Sequence, residues 1–418
     1  MQSWPSDPAD PFFREILEAP ADNSPRLVFA DWLEEQGDAQ AELIRVQCEL
    51  ETCTDTARRS DLAKREQVVS AEHRSRVLSQ LQSLGVKEVL FKRGFIEKVE
   101  IHGVKFLTQP WLLFRAAPAL SGLKLRGLPD RQAADALQRL LAYPQLASLA
   151  GLDLSQNGLG AAAAEVLAKS PRLAHLTTLH LAQNHFSGHG IQVLATSPHL
   201  KKLTTLGLAG NGITSPGVRI LARSAGLRTL QTLNLDDNQI GDDGLTALAG
   251  SLHFEGLRTL SASRNGITQD GIRSLANSQS LTKLNSLTLS GNRLEANGAV
   301  ALASSSNFGR LETLVLRECD LGPEGGSALG RSMFLRHLRF LDLHRNNLTS
   351  GIQDMAASTS LFHLLETLDL SANDIDAQGA HALAETGQLK HVKVLNLSFN
   401  PLGRSEALLE RFGNRVRL

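Results

Sequence analysis

From residue 149 onward the apolar positions fall in a fixed phrase. Leu149 to Leu159 reads L-x-x-L-x-L-x-x-N-x-L, and the phrase returns every 27 residues. A leucine never fails at Leu152, Leu179, Leu206, Leu233, Leu260, Leu287, Leu314, Leu341, Leu368 and Leu395. Asparagine stands at Asn157, Asn184, Asn211, Asn238, Asn265, Asn292, Asn346, Asn373 and Asn400, with Cys319 on the one rung between. The L-x-L core predicts a short strand, because alternate strand residues share a face. Leu152 and Leu154 then point into the core and Asp153 points out. The next apolar position (Leu159, Phe186, Ile213, Ile240 and their equivalents) turns the chain back inward. The asparagine has no apolar role; its amide can bond the free backbone groups of the turn, and stacked copies can form a ladder.

A second signature follows each turn. Gly190, Gly217, Gly244, Gly271, Gly298, Gly325 and Gly379 each precede apolar residues at helical spacing, as in Val218-Arg219-Ile220-Leu221-Ala222. This predicts an outer helix of about three turns. Gly351 comes one residue early before Ile352, so that turn is expected to be rearranged.

Together these residues, over roughly 146–405, resemble the ribonuclease-inhibitor subfamily of leucine-rich repeats. The resemblance implies an α/β solenoid shaped as a horseshoe, with a parallel inner sheet and outer helices. That subfamily includes the Ran GTPase-activating protein and the sensing ends of some innate immune receptors. It specifies fold and says little of function, which lives in a site.

Ahead of the repeats the periodicity is helical. Asp10 is placed to cap a helix with Pro11 at its first position, and a second helix runs from Ser24-Pro25 to Gly37. Asp38 caps a third, to about Thr52. Phe12, Phe13, Ile16, Leu17, Leu27, Val28, Phe29, Trp32, Leu33, Leu43, Ile44 and Val46 are the expected core. The run Pro25-Arg26-Leu27-Val28-Phe29-Ala30-Asp31-Trp32-Leu33-Glu34-Glu35-Gln36-Gly37-Asp38 is similar to the bacterial repeat-companion domain. That likeness implies a bacterial repeat protein and carries no activity with it. Asp31, Trp32 and Glu35 read more simply as a packing tryptophan between solvated acids. A long helix over 57–83, with Leu62, Val68, Val69, Val77, Leu78 and Leu81 apolar, is expected to pack on the first repeat. Alternation at Val99 and Ile101, and the phrase Leu120-x-x-Leu123-x-Leu125-x-x-Leu128, mark degenerate capping repeats. Val416-x-Leu418 closes the chain as a last short strand. The expected division is 1–85 helical module, 86–145 capping repeats and 146–418 regular repeats.

Composition narrows the function. Lys plus Arg and Asp plus Glu number 43 each, so no global field favours nucleic acid. Residues 1–85 hold 16 acids against 9 bases, which reads as solvated helix faces or as a docking face for a basic partner. The three cysteines, Cys48, Cys53 and Cys319, have no disulfide or metal spacing and point to a reduced compartment. The start Met1-Gln-Ser-Trp-Pro lacks a leader pattern, and no apolar stretch is long enough for a membrane span. A cytoplasmic monomer without cofactor or metal is the expectation.

The period also predicts which side chains line the inner face. Between the strand leucines stand Asp153, His180, Gly207, Asn234, Ser261, Thr288, Val315, Asp342, Asp369 and Asn396. Two residues on come Ser155, Ala182, Ala209, Asp236, Ser263, Ser290, Arg317, His344, Ser371 and Ser398, then Gln156, Gln183, Gly210, Asp237, Arg264, Gly291, Glu318, Arg345, Ala372 and Phe399. The centre is small and neutral, and the single tyrosine, Tyr143, lies elsewhere. Strand spacing of about 4.8 Å gathers Arg317, Glu318, Asp342, His344, Arg345, Asp369 and Phe399 into one polar patch. Asn234, Asp236, Asp237 and Arg264 form a smaller one. Both are expected partner-binding residues. Asp342, His344 and Ser371 are the residue types of a nucleophilic triad, but a flat sheet gives no oxyanion hole. Asp342, Asp369 and His344 could face a metal only in open solvent. The histidines at 175–199 scatter over different faces, and the glycines sit at repeat turns rather than in a phosphate loop. The sequence therefore points to a non-catalytic scaffold for a protein partner. A regulator of a small GTPase, by likeness to the Ran GTPase-activating protein, and a secreted effector binding host proteins are the alternatives.

Overall fold

The computed structural model describes residues 9–129, 133–403 and 406–418. The residues read for a leader lie outside this range. Two units form, one of residues 1–158 with 170–179 and the other of residues 159–169 with 180–418.

The first unit begins with four helices, α1 (Asp10–Glu18), α2 (Ser24–Glu35), α3 (Gln40–Thr52) and α4 (Thr56–Leu81). Asp10 does not cap α1: Ala9 holds the cap position without a side-chain bond, and Asp10 lies in the first turn. Asp55 caps α4 by accepting from the Arg58 amide at 2.7 Å. The small core holds Ile16, Phe29, Ala30, Leu33, Ala41, Ile44 and Cys48, with Phe12, Phe13 and Trp32 against it. Trp32 stacks on Phe29, ring centroids 5.7 Å apart. Leu27 and Val28, expected in this core, are exposed, as are Val68 and Leu78 on α4. Their neighbours Phe29 and Leu33 already fill the one buried face of α2, so the same helix cannot bury 27 and 28 as well.

Four helices this small bury too little apolar surface alone. The structure supplies the remainder from the next segment. β1 (Glu88–Lys92) and β2 (Phe95–His102) form an antiparallel hairpin that alternation alone did not predict. Phe95 stacks on Phe29 at 5.7 Å. The turn Arg93-Gly94 inserts into the helices: a Cβ on Gly94 would lie 2.1 Å from Ile44 Cγ1. Gln47 Oε1 accepts from the Gly94 amide at 2.7 Å, and buried Arg93 donates to Pro20 O at 2.7 Å and to Asn23 Oδ1 at 3.2 Å. Beyond the hairpin come α5 (Gly103–Thr108), α6 (Pro110–Ala116), β3 (Gly122–Arg126), α7 (Ala133–Leu141) and β4 (Gly151–Asp153). β2, β3 and β4 pair in parallel.

In the second unit one strand and one helix alternate in each repeat. After β5 (Thr178–His180) the strands are β6 (Thr205–Gly207), β7 (Thr232–Asn234), β8 (Thr259–Ser261), β9 (Ser286–Thr288), β10 (Thr313–Val315), β11 (Phe340–Asp342), β12 (Thr367–Asp369), β13 (Val394–Asn396) and β14 (Val416–Arg417). From β6 to β14 each pairs in parallel with its sequence neighbour, leucine opposite leucine except at the end, where Leu395 meets Val416. The helices are α8 (Ala161–Lys169), α9 (Ser187–Ala195), α10 (Ser215–Ala222), α11 (Gly241–Ala249), α12 (Gln269–Ala276), α13 (Glu295–Ser304), α14 (Gly322–Gly330), α15 (Gly351–Ala356), α16 (Ala377–Glu385) and α17 (Glu406–Phe412). α15, which begins at the early Gly351, is shorter than α14 and α16 on either side.

The ladder asparagines are bonded on both sides, and all but the half-buried Asn400 are buried. Asn238 donates to Leu208 O, Leu235 O and Asp236 O at 3.0, 2.9 and 3.0 Å, and its Oδ1 accepts from the amides of Asn211 and Ile213. Cys319 reaches Leu289 O at 3.4 Å and Arg317 O at 3.3 Å through its weaker thiol. The recurring glycines are not turn residues. Gly190, Gly217, Gly244, Gly271, Gly298, Gly325 and Gly379 sit inside the first turns of their helices. A Cβ there would press on the repeat's own apolar residue, 2.8 Å from Leu294 Cβ at Gly298 and 2.7 Å from Ile375 Cγ2 at Gly379. Packing, not turn geometry, selects them.

A second ladder went unread in the sequence. Ser197, Ser224, Ser251, Ser278, Ser305 and Ser332 repeat every 27 residues. Each hydroxyl donates to a carbonyl at the end of the previous helix, for example Ser251 Oγ to Ala222 O at 2.6 Å.

Candidate functional site

The sheet of the second unit turns its leucines into the core and the flanking residues outward, in an intermediate-buried-intermediate rhythm along nearly every strand. Two rows of outward side chains come from the strand itself. One is the row between the leucines, in which Val315, Asp342, Asp369, Asn396 and Arg417 stand opposite one another in register. The other precedes the first leucine: Thr313, Phe340, Thr367 and Val394. That second row escaped the sequence reading, although the same alternation defines it.

The third expected row has a different geometry. Gln156, Gln183, Asp237, Arg264, Glu318, Arg345, Ala372 and Phe399 all hold φ between 50° and 62°, and Gly210 and Gly291 fill the same place. These are left-handed turn residues just after the strand, not strand residues. The chain must swing there so that the following asparagine enters the core. Their side chains leave the turn and stay solvated: Arg264, Arg345 and Phe399 are exposed.

Around β11 and β12 the predicted residues join into one hydrogen-bonded group. Arg317 Nε meets Asp342 Oδ2 at 2.9 Å, and its Nη2 lies 4.0 Å from Asp369 Oδ2. Asp369 also accepts from the Ser371 hydroxyl at 2.5 Å and from Asn396 Nδ2 at 2.9 Å. His344 Nδ1 bonds Ser371 Oγ at 2.7 Å. Beside this group Arg345 Nη1 pairs with Glu318 Oε1 at 3.4 Å. Phe399 joins none of these bonds and is 86% exposed.

The two carboxylates differ. Asp342 is 5% exposed, and burial raises its pKa above the ordinary aspartate value, outweighing the His344 amide and Arg317. Asp369 feels the same burial, yet the Ser371 hydroxyl and amide, Asn396 and Arg317 together hold its pKa below that value.

The order of these bonds is not that of a nucleophilic relay. The serine hydroxyl gives its proton to Asp369, so His344 Nδ1 must donate to the serine rather than receive from it. The only Asp342–His344 bond is to the backbone amide, at 3.1 Å. Among the described residues no three His, Cys, Asp or Glu side chains are set to share a metal ion. The arrangement places charge and hydrogen-bonding groups on the outward face of the sheet.

The smaller predicted group also closes on itself. Arg264 clasps Asp237 with both arms of its guanidinium, Nη2 to Oδ2 at 2.7 Å. Asp236 Oδ1 accepts from Ser261 Oγ at 2.7 Å and the Ser263 amide at 2.6 Å, and Asn234 Oδ1 accepts from the Asp236 amide at 2.8 Å. No bond links this group to the one at β11 and β12 among the described residues. In the first unit an unforeseen cluster occupies the equivalent outward row. Lys124 pairs with the buried Glu100, and Arg126 reaches Asp153 at 3.7 Å. The 27-residue period does not extend back through Leu123 and Val99, so it does not disclose this row.

A leucine-rich repeat pattern matches residues 172–195, 199–222, 226–249, 280–303, 311–330 and 363–384. No curated protein matches the sequence. Among solved structures, a chain of the yeast Rad7–Elc1 complex is similar at TM-score 0.51 and 15% identity, covering 99% of this chain and 92% of that one. An internalin, inlF of Listeria monocytogenes, aligns at TM-score 0.43 and 18% identity over 81% of this chain and 92% of its own. Among the described residues no helix is long and apolar enough to cross a membrane.

Proposed function

We propose, from the premise that this chain is a leucine-rich repeat protein, that it is a non-catalytic scaffold holding a protein partner on the outward face of its sheet. The observation that carries this reading is the group around Arg317, Asp342, His344 and Asp369. It concentrates charge on a face where neighbouring strands present serine, threonine, alanine and glycine. Small neighbours let a partner's backbone approach, while arginine and aromatic side chains supply the strong contacts. Rad7 and Elc1 form a complex in the similar yeast structure, which fits a protein-binding role for this fold. We read the repeats as ribonuclease-inhibitor-like, because each 27-residue unit carries a helix, and the first four helices as a repeat-companion module. Three unpaired cysteines favour a cytoplasmic setting.

The test is affinity capture from native extract with the wild type and with Arg317, Asp342, His344, Arg345 and Asp369 all changed to alanine. The variant's fold is checked by circular dichroism. A protein held by the wild type and lost by the folded variant is the expected result. Equal capture by both removes this face from the reading.

A further inference from the structure

Phe399 is the residue on this face that the fold does not explain. It carries two burdens at once. Its φ is +62°, a region that bulky side chains rarely enter, and its ring is 86% exposed. The same turn position is glycine at Gly210 and Gly291 and alanine at Ala372, so the repeat does not require an aromatic there. Ala372 occupies the turn one repeat before, leaving the ring without a bulky neighbour in its own row. The positive φ belongs to this turn in every repeat, so what sets Phe399 apart is an exposed aromatic ring where the other repeats place glycine, alanine or polar residues, and such a ring points outward, to something that covers it.

The polar groups nearby state what the covering surface carries. The acceptor capacity here is largely taken. Asp342 holds Arg317 and the His344 amide. Asp369 holds Ser371 and Asn396, and Glu318 holds Arg345. Donors are in surplus. Each guanidinium offers five N–H groups, and Arg317 and Arg345 use few of them. Arg417 stands exposed on the last strand, opposite Asn396 in register, and its side chain makes no hydrogen bond or ion pair among the described residues. A surface of spare donors beside an exposed ring calls for acceptors beside an apolar pocket.

We propose that Phe399 is the anchor of the docking face, and that the partner is a protein segment offering an aliphatic pocket for this ring flanked by carboxylates that reach Arg417 and Arg345. This rests on the scaffold reading above and names its partner's chemistry. A nucleic acid strand could also stack on the ring, but its continuous phosphate backbone would have to run across Glu318, Asp342 and Asp369 in the same patch, whereas local carboxylates need meet only Arg345 and Arg417.

The experiment pans a random 16-residue peptide library on the immobilised full-length protein and measures selected peptides by fluorescence anisotropy. Three variants are compared: F399G, R417Q and the five-alanine variant described above. Glycine suits a positive φ, so F399G keeps the fold, checked by thermal melting. The expected result is a set of peptides rich in Leu, Ile or Val next to Asp or Glu. They bind F399G at least tenfold more weakly than wild type, bind R417Q several-fold more weakly, and lose affinity as salt rises. Peptides of basic composition, peptides indifferent to F399G, or no enrichment at all would overturn the proposal. So would a labelled single-stranded oligonucleotide that binds wild type but not F399G, or a wild-type dimer in sedimentation that F399G dissociates. Peptides indifferent to F399G but lost by the five-alanine variant would sink this anchor alone and leave the scaffold reading standing. Peptides indifferent to both variants would remove the scaffold reading as well.

Discussion

At the scale of single residues, the ladder position decides how much one side chain matters. Asn346 donates to Leu316 O at 2.6 Å and Leu343 O at 2.9 Å, and its Oδ1 accepts from the Cys319 amide. It is fully buried, so Asn346→Ala strands several backbone groups away from water. Each unmet buried group costs about 1–3 kcal/mol, and urea denaturation should show a loss at the upper end of that range or beyond. Cys319→Asn runs the other way. The thiol makes only long bonds at 3.3 and 3.4 Å, and an amide in its place should add roughly 1 kcal/mol. Burial also pushes the Cys319 thiol up to about 12 and Cys48 up to about 11. Neither ionises near neutrality, so iodoacetamide at pH 8 should label the more accessible Cys53 alone in the folded protein, read by mass spectrometry. Labelling of Cys319 at a similar rate would mean that its repeat opens readily.

The paired aspartates give a pH test of opposite signs. Asp369 has a depressed pKa in the fold, so its contribution is present above the unfolded aspartate pKa and is lost as pH falls through the folded value. Asp342 has a raised pKa, so its ionised form opposes folding, and protonation relieves this as pH falls from neutral toward the ordinary carboxylate range. Asp369→Asn should therefore destabilise at pH 7, with the deficit vanishing in acid. Asp342→Asn should be tolerated at pH 7, because Asn Oδ1 still accepts from the His344 amide and Arg317 remains half in solvent. Midpoints of urea unfolding from pH 7 down to pH 2 separate the two. The same sign for both variants would contradict the division of roles.

At the scale of elements, α14 and α15 pack backbone against backbone. Gly326 faces Gly351 and Gly330 faces Met355, where a Cβ on Gly330 would stand 2.7 Å from Met355 Cα. A Cβ on Gly351 would stand 2.1 Å from Pro323 O. Both obstacles are backbone, which cannot swing aside, so Gly330→Ala should cost about 1–3 kcal/mol as overpacking. Gly188 in α9 has nothing within 4 Å of its Cβ position, and alanine there should stabilise by about 0.5–1 kcal/mol. Thermal melts of the two variants should shift in opposite directions. This contrast also shows what was legible. The period disclosed strands, ladder and helices, because each repeat restates the same leucines. It also brought together Arg317, Asp342, His344 and Asp369, since parallel register follows from equal repeat length. It could not tell a turn glycine from a packing glycine, because the neighbour that excludes a Cβ belongs to another turn or another helix. It named the third row but not its left-handed geometry, because Arg345 and Phe399 do not advertise a positive φ as Gly210 does. The hairpin turn Arg93-Gly94 was hidden for a similar reason: what demands its glycine is Ile44, fifty residues away in sequence.

At the scale of the molecule, stability in the second unit is built from neighbours. Each strand from β7 to β13 bonds to the strand before and the strand after, and each helix packs on the adjacent helices. Such stacks behave as a sum of repeat terms and nearest-neighbour interfaces. Leu287 lies fully buried in β9, and Leu287→Ala should remove about 2–5 kcal/mol. In a single compact core that loss would lower protection everywhere. Here it acts on one repeat and its two interfaces, and the bonds of β12 and β13 do not involve β9 at all. Native-state hydrogen exchange should therefore lose most protection in β8, β9 and β10 and least in β12 and β13, and urea unfolding should broaden or split as the halves on either side of the weakened repeat part company. An equal drop in protection from β6 to β13, with one sharp transition, would show that the repeats fold as one block. In that case a partner seated across β10 to β14 would stabilise the whole unit rather than the repeats it covers, so this exchange experiment also fixes how far binding at Phe399 would be felt along the sheet.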